Sequence, residues 1–156
     1  SQGMPVEWLD ARDWLHARIA AHKQQRGPGW VTRECPLDLV TTLVAEAAAT
    51  RVVLVDCLTL WLSNLLFAGQ AATQAEAGAA IDCPLLQGET AALIELLPTL
   101  PGHIILVSNE VGWGIVPMHP VSRIFADEQG RLNQRVAAVC DQVTLVAAGL
   151  PLKLKG

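Results

Sequence analysis

His22 is followed at once by Lys23 and then by Gln24, Gln25 and Arg26, so one imidazole stands beside two cationic side chains. Neighbouring cations disfavour imidazolium and attract anions. A neutral ring nitrogen in that setting can attack an α-phosphate and hold the product as a phosphoramidate, with Lys23 and Arg26 against the nonbridging oxygens. The same residues also suit a solvated His-Lys pair at the end of a basic helix, and taken alone they leave both readings open.

Two further segments place polar groups at the ends of apolar runs. Val52-Val53-Leu54-Val55 runs into Asp56. A carboxylate at a strand's C-terminal tip is how nucleotide-binding folds hold Mg²⁺ or a metal-bound water beside phosphates. The alternative is that Asp56 caps the helix that follows. Ile104-Ile105-Leu106-Val107 is likewise too short and too β-branched for a helix and reads as a buried strand. Ser108, Asn109 and Glu110 emerge from its C-terminal end, where open α/β sheets bind ligands. Gly112 and Gly114 let the backbone pass close to a neighbour, and Pro117 stiffens the exit.

These groups need a frame, and the rest of the chain supplies one. At 156 residues, 51% of them hydrophobic, the chain can bury one sizeable core and is expected to form a single domain over 1–156. A net charge of −4, few aromatic residues and no Tyr argue against nucleic acid as a partner. Cys35, Cys57, Cys83 and Cys140 show no C-x-x-C pairing. They read as reduced thiols in or near the core, and hence as cytoplasmic. No apolar stretch reaches the roughly 18 residues of a membrane span, and no signal-peptide pattern opens the chain. The start, Ser1-Gln2-Gly3-Met4, reads as a fragment, a processed product, or a chain whose natural start is Met4.

Periodicity predicts alternating elements. Helices are expected over Leu9 to Ala21, Pro36 to about Ala49, Leu58 to Phe67, Glu89 to Leu97 and Val121 to Val139. The alanine-rich stretch Gly69 to Gly78 is either a poor helix or a mobile insert. Strands are expected over Val52 to Val55, Ile104 to Val107, Val143 to Val146 and Leu152 to Leu154, the last two joined through Gly149-Leu150-Pro151. Strands separated by helices imply an α/β fold with a mainly parallel sheet covered on both faces and an antiparallel C-terminal edge.

The order and spacing of these blocks carry a resemblance. Arg18-Ile19-x-x-His22-Lys23-x-x-Arg26, Trp30-x-Thr32-x-Glu34, Asp56-x-Leu58-Thr59-x-Trp61-x-x-Asn64, Asn109-Glu110-Val111-Gly112-x-Gly114-Ile115-Val116-Pro117 and Gly130-Arg131-x-Asn133-Gln134 follow one another along the chain. Together they resemble the bifunctional adenosylcobinamide kinase/adenosylcobinamide-phosphate guanylyltransferase family of cobalamin biosynthesis, from about Arg18 to Lys155. The resemblance implies a RecA-like P-loop NTPase fold, a homotrimer, and GTP and ATP as substrates with Mg²⁺. It further implies phosphorylation of adenosylcobinamide, then transfer of GMP to adenosylcobinamide phosphate to give adenosyl-GDP-cobinamide. By the same resemblance His22 carries GMP covalently, Lys23, Gln24, Gln25 and Arg26 contact the guanine nucleotide, and Glu34 and Asp56 contact nucleotide or its metal, Asp56 being the metal-side residue. Asn109, Glu110, Asn133 and Gln134 are site candidates whose side chains alternatively fix the glycine turn.

One departure qualifies the match. The family opens with a strand and a G-x-x-x-x-G-K-[ST] loop whose N–H groups and lysine cradle phosphates, and this sequence contains no such segment. The first strand and that loop are expected to be missing from the 156 residues, which would leave them weak or inactive alone. The competing expectation is a noncatalytic assembly or nucleotide-sensing subunit of the same fold.

Overall fold

The structure is a computed structural model that describes residues 29–156. Contacts divide the chain between Glu34 and Cys35. Residues 29–34 contain no helix or strand, and every element below belongs to the unit Cys35–Gly156. The helix expected over Leu9 to Ala21 lies outside the described residues.

Helix α1, Leu39–Glu46, is shorter than Pro36 and Ala49 suggest. The backbone turns extended at Ala47, and Arg51 reaches back to donate to the Glu46 carbonyl (3.3 Å) and carboxylate (3.2 Å). The arginine thus takes over a carbonyl that a further helical turn would have satisfied, and frees the chain to reverse into strand β1, Val52–Asp56. Helix α2, Leu58–Ala68, follows, and its Leu58, Trp61, Leu62, Leu65 and Leu66 are all buried.

The alanine-rich stretch is a helix, α3, Ala71–Glu76. Ala71, Ala72 and Ala75 are buried, so small side chains serve close approach to α2 instead of loosening the segment. A Schellman motif ends it: Gly78, at φ +67°, donates to Ala75 O, and Ala79 donates to Gln74 O. The Gln74 side chain then clasps Asp82, donating to its carbonyl and accepting from its N–H, both at 2.9 Å. Helix α4, Pro84–Leu96, begins five residues before the expected Glu89, because Pro84 suits a first turn and Gly88 is tolerated inside the helix.

Strand β2, His103–Val107, pairs in parallel with β1 from Val52↔His103 to Asp56↔Val107. Val53, Val55, Ile104 and Leu106 face a core built from α1, α2, α3, α4 and helix α5, Pro120–Val139. The opposite face, with Val52, Ile105 and Val107, is exposed among the described residues. Among the described residues, the helices expected to cover the sheet pack on the face that carries Val53, Val55, Ile104 and Leu106. Apolar residues at every strand position made both faces look alike in sequence.

Strands β3, Val143–Ala147, and β4, Leu150–Lys155, form an antiparallel hairpin that is a two-stranded sheet of its own. Its turn is Ala148-Gly149 and not Gly149-Leu150-Pro151: both turn residues have positive φ, 53° and 76°, as a type I′ turn requires. Pro151 sits inside β4, which a strand at a sheet edge tolerates. The register skips Leu154 between the pairs Thr144↔Lys153 and Val143↔Lys155, a bulge that brings Lys155 back toward α5. Its ammonium donates to Ala137 O (3.1 Å) and Ala138 O (2.9 Å) in the last turn of α5. The architecture is α/β, with a parallel pair flanked by helices and an antiparallel C-terminal sheet.

Candidate active site

The parallel pairing of β1 and β2 brings Asp56 level with Val107, so the carboxylate and the segment Ser108-Asn109-Glu110 leave the pair at the same edge. Asp56 is exposed there, and the peptide bond that joins it to Cys57 is cis. The convergence follows from the register: both apolar runs end in step, and polar residues follow at both tips.

The segment after β2 is held by side chains from two helices. Thr59, in the first turn of α2, accepts the Asn109 N–H at 2.9 Å. Asn133 of α5 donates to the Asn109 carbonyl at 3.0 Å and accepts the Ser108 hydroxyl at 2.6 Å. Gln129, one turn earlier on α5, donates to Ser108 Oγ and to Asn133 Oδ1, both at 2.9 Å. Both backbone polar groups of Asn109 are thus bound, whereas its side chain makes no hydrogen bond to a described residue. Glu110 turns into its own loop and accepts the Gly112 N–H at 2.8 Å.

Beyond Gly112 the loop is apolar and open. Trp113, Ile115, Val116 and Met118 are exposed, Ile115 almost fully at 97%. Arg123, in the first turn of α5, donates to the Pro117 and Met118 carbonyls and anchors the loop's far end. Arg131 is paired with Glu128 on its own helix.

Of the residues expected to act, Asp56, Asn109, Glu110 and Asn133 come together at this edge. Glu110 makes a contact of the kind the alternative expected, accepting from the glycine turn at Gly112, whereas Asn133 holds Ser108 and the Asn109 carbonyl at the strand tip. Gln134 is exposed and lines a shallow depression with Arg131 and Arg135, apart from the network. Glu34 is exposed, in the stretch that precedes the unit described above. His22, Lys23, Gln24, Gln25 and Arg26 lie outside the described residues.

Other members of the quoted blocks are structural. Trp61, buried in α2, donates its indole N–H to Leu37 O (2.9 Å), and Asn64 donates to Pro36 O (3.0 Å). Together they pin the bend that leads into α1 against α2. Gln129 went unremarked in the sequence, although a signal existed. It shares a face with Leu132 and Val136, at i, i+3 and i+7, and a polar residue in a buried stripe needs partners.

The comparison with known proteins identifies the family. The family described as cobinamide kinase / cobinamide phosphate guanyltransferase matches residues 9–154, reaching upstream of the Arg18 at which the resemblance was read to begin. The chain is 50% identical over 139 residues to the bifunctional adenosylcobalamin biosynthesis protein CobP of Pseudomonas aeruginosa, covering 89% of this chain and 73% of that one. It is 39% identical over 145 residues to the bifunctional adenosylcobalamin biosynthesis protein CobU of Salmonella typhimurium, and 36% identical over 145 residues to that of Escherichia coli. Each of those two alignments covers 92% of this chain and 80% of the relative. With a family match across nearly all of its length and relatives 36–50% identical over most of it, the chain belongs to the cobinamide kinase / cobinamide phosphate guanyltransferase family.

Proposed function

We propose that the protein phosphorylates adenosylcobinamide with ATP or GTP, and then transfers GMP from GTP to adenosylcobinamide phosphate, yielding adenosyl-GDP-cobinamide and pyrophosphate. The observation that carries this reading is the match of residues 9–154 to a family whose description names both activities. The edge formed by Asp56 and Ser108-Asn109-Glu110 supports it, because ligands of open α/β sheets bind outside the carboxyl ends of the strands.

In the guanylyl step a neutral nitrogen of His22 attacks the α-phosphorus of GTP, the bond to pyrophosphate breaks, and a phosphoramidate carries GMP. The terminal phosphate of adenosylcobinamide phosphate then attacks the same phosphorus and returns His22 to its free form. Lys23 and Arg26 offset charge on the nonbridging oxygens, and Gln24, Gln25 and Glu34 contact the nucleotide. Mg²⁺ would neutralise phosphate charge, and one exposed carboxylate at a strand tip fits the way this ion is held, by one or two carboxylates together with phosphates and water. Asp56 is the residue that would hold it. No helix among the described residues is long and apolar enough to cross a membrane. A homotrimer in the cytoplasm belongs to the same proposal.

The test is covalent labelling of the native full-length protein. GTP labelled at the α-phosphate should leave acid-labile, base-stable label, and His22→Ala should remove it. Label that persists in the alanine variant refutes the assignment.

A further inference from the structure

Gln129 is completely buried, and its Oε1 has no hydrogen-bond partner among the described residues. The orientation that leaves this oxygen alone is dictated from the other end of the network. The Asn109 carbonyl can only accept, so Asn133 must turn its NH₂ toward it and its Oδ1 toward Ser108 and Gln129. Gln129 must then present NH₂ to Ser108 Oγ and Asn133 Oδ1, which leaves Oε1 facing the interior. An orphaned buried oxygen lowers stability, and an apolar side chain of the same length would avoid it.

We propose that Gln129 is a positioning residue for the nucleotide reaction: acting through Ser108 and Asn133, it fixes the backbone of Asn109 and so directs the Asn109 side chain at the bound nucleotide. Three features support this. Gln129 directs one hydrogen of its NH₂ at Ser108 Oγ on the strand tip and the other at Asn133 Oδ1, the side chain one turn along its helix that holds the Asn109 carbonyl. Asn109 is bound on both sides of its backbone, N–H to Thr59 and C=O to Asn133, so its Cα–Cβ direction is set by two helices at once. Its side-chain amide, exposed beside the Asp56 tip, makes no hydrogen bond to a described residue and can donate to a phosphate oxygen or accept from a nucleotide N–H. The ligand named here rests on the proposed function above; the positioning of Asn109 does not.

Gln129→Met keeps side-chain length and removes both the donors and the orphaned oxygen. In the native full-length protein its melting temperature should be equal to or above that of the parent. Hydrogen exchange at the Asn109 amide should quicken tenfold or more while amides within the β1–β2 pair keep their protection. With GTP as donor, kcat for adenosylcobinamide phosphorylation should fall on the order of tenfold to a hundredfold, at unchanged KM for adenosylcobinamide. Asn133→Asp is the second variant: it keeps the acceptor for Ser108 and Gln129 but cannot donate to the Asn109 carbonyl, and should give the same exchange and rate signature. Unchanged exchange at Asn109 in both variants overturns the proposal. So does a loss of kcat no larger than the loss of folded protein. If the parent itself fails to phosphorylate adenosylcobinamide, the functional reading falls, and Asn109 exchange still decides whether Gln129 positions the tip.

Discussion

Gly102 lies where the chain leaves Pro101 and enters β2, with φ at +83°, in the left-handed region that glycine occupies at no steric cost. A methyl group placed on it would stand 2.1 Å from the Ala48 carbonyl oxygen and 2.7 Å from that of Arg51. Both are backbone atoms, so no side chain can swing away. Gly102→Ala should therefore incur two separate penalties. The left-handed conformation costs an L-residue about 1–2 kcal/mol. Forcing an added methyl into occupied space costs about 1–3 kcal/mol more. Gly149 provides the control, because its φ is +76° and nothing lies within 4 Å of a methyl built there. Gly149→Ala should lose only the conformational part, about 1–2 kcal/mol. Urea unfolding of the parent and both variants measures the difference, which should be about 1–3 kcal/mol in favour of Gly149→Ala. The damage at Gly102 falls on the His103 N–H to Arg51 O bond, at the opposite end of the parallel pair from Asp56 and Asn109. The folded fraction of Gly102→Ala should accordingly keep parental nucleotide affinity. Equal losses in the two variants would refute the claim that close backbone approach, and not φ alone, requires glycine at position 102.

Asp56→Asn should weaken Mg²⁺-dependent GTP binding by about 1–3 kcal/mol, the range for a charge-assisted contact, while leaving the melting temperature in place; a shifted melt at unchanged affinity would make Asp56 structural. Burial pushes the Cys140 thiol pKa up, the Lys155 ammonium pulls it down, and Asp141 pushes it up. The folded protein thus holds this proton more tightly than the unfolded chain, so the stability contributed by the neutral thiol is complete below the ordinary thiol pKa. It is lost as pH rises from there through the higher folded value. Urea midpoints measured across that window should fall more for the parent than for Cys140→Ala, and parallel falls would refute the linkage.

The fold was legible wherever one residue type dominated a local choice. Apolar runs of four with β-branched residues gave β1 and β2 to within a residue, and Pro120 to Val139 shows a stripe long enough to identify its helix at both ends. What local pattern could not give were outcomes decided at a distance. The last turn of α1 is absent because Arg51, five residues beyond Glu46, captures its carbonyl. Alanines at 71, 72 and 75 are weakly hydrophobic one by one, and only their burial shows why the stretch is helical. The hairpin turn moved because Ala148, a residue without a turn signature, adopts a positive φ beside Gly149.

The site was legible as an edge and illegible as a mechanism of support, for a physical reason. Asp56 and Asn109 announce themselves because a polar residue that ends an apolar run must lie at a strand tip, and parallel strands in register put such tips side by side. What makes the edge rigid comes from 20 or more residues away: Thr59 and Asn109 are 50 apart in sequence, and Ser108 is 25 from Asn133. Such bonds leave no periodic trace in sequence. Only Gln129 broke a pattern, as an amide within the stripe of Leu132 and Val136. A buried amide on a helix is seldom explained by that helix alone, since its hydrogens must be satisfied somewhere. Following them here leads to Ser108 and Asn133, and through Asn133 to the backbone of Asn109. The backbone of the tip is thereby tied to the packing of α5, and if the tip serves the proposed nucleotide reaction, a substitution at Gln129 should be felt as a change in rate before it is felt as a change in stability.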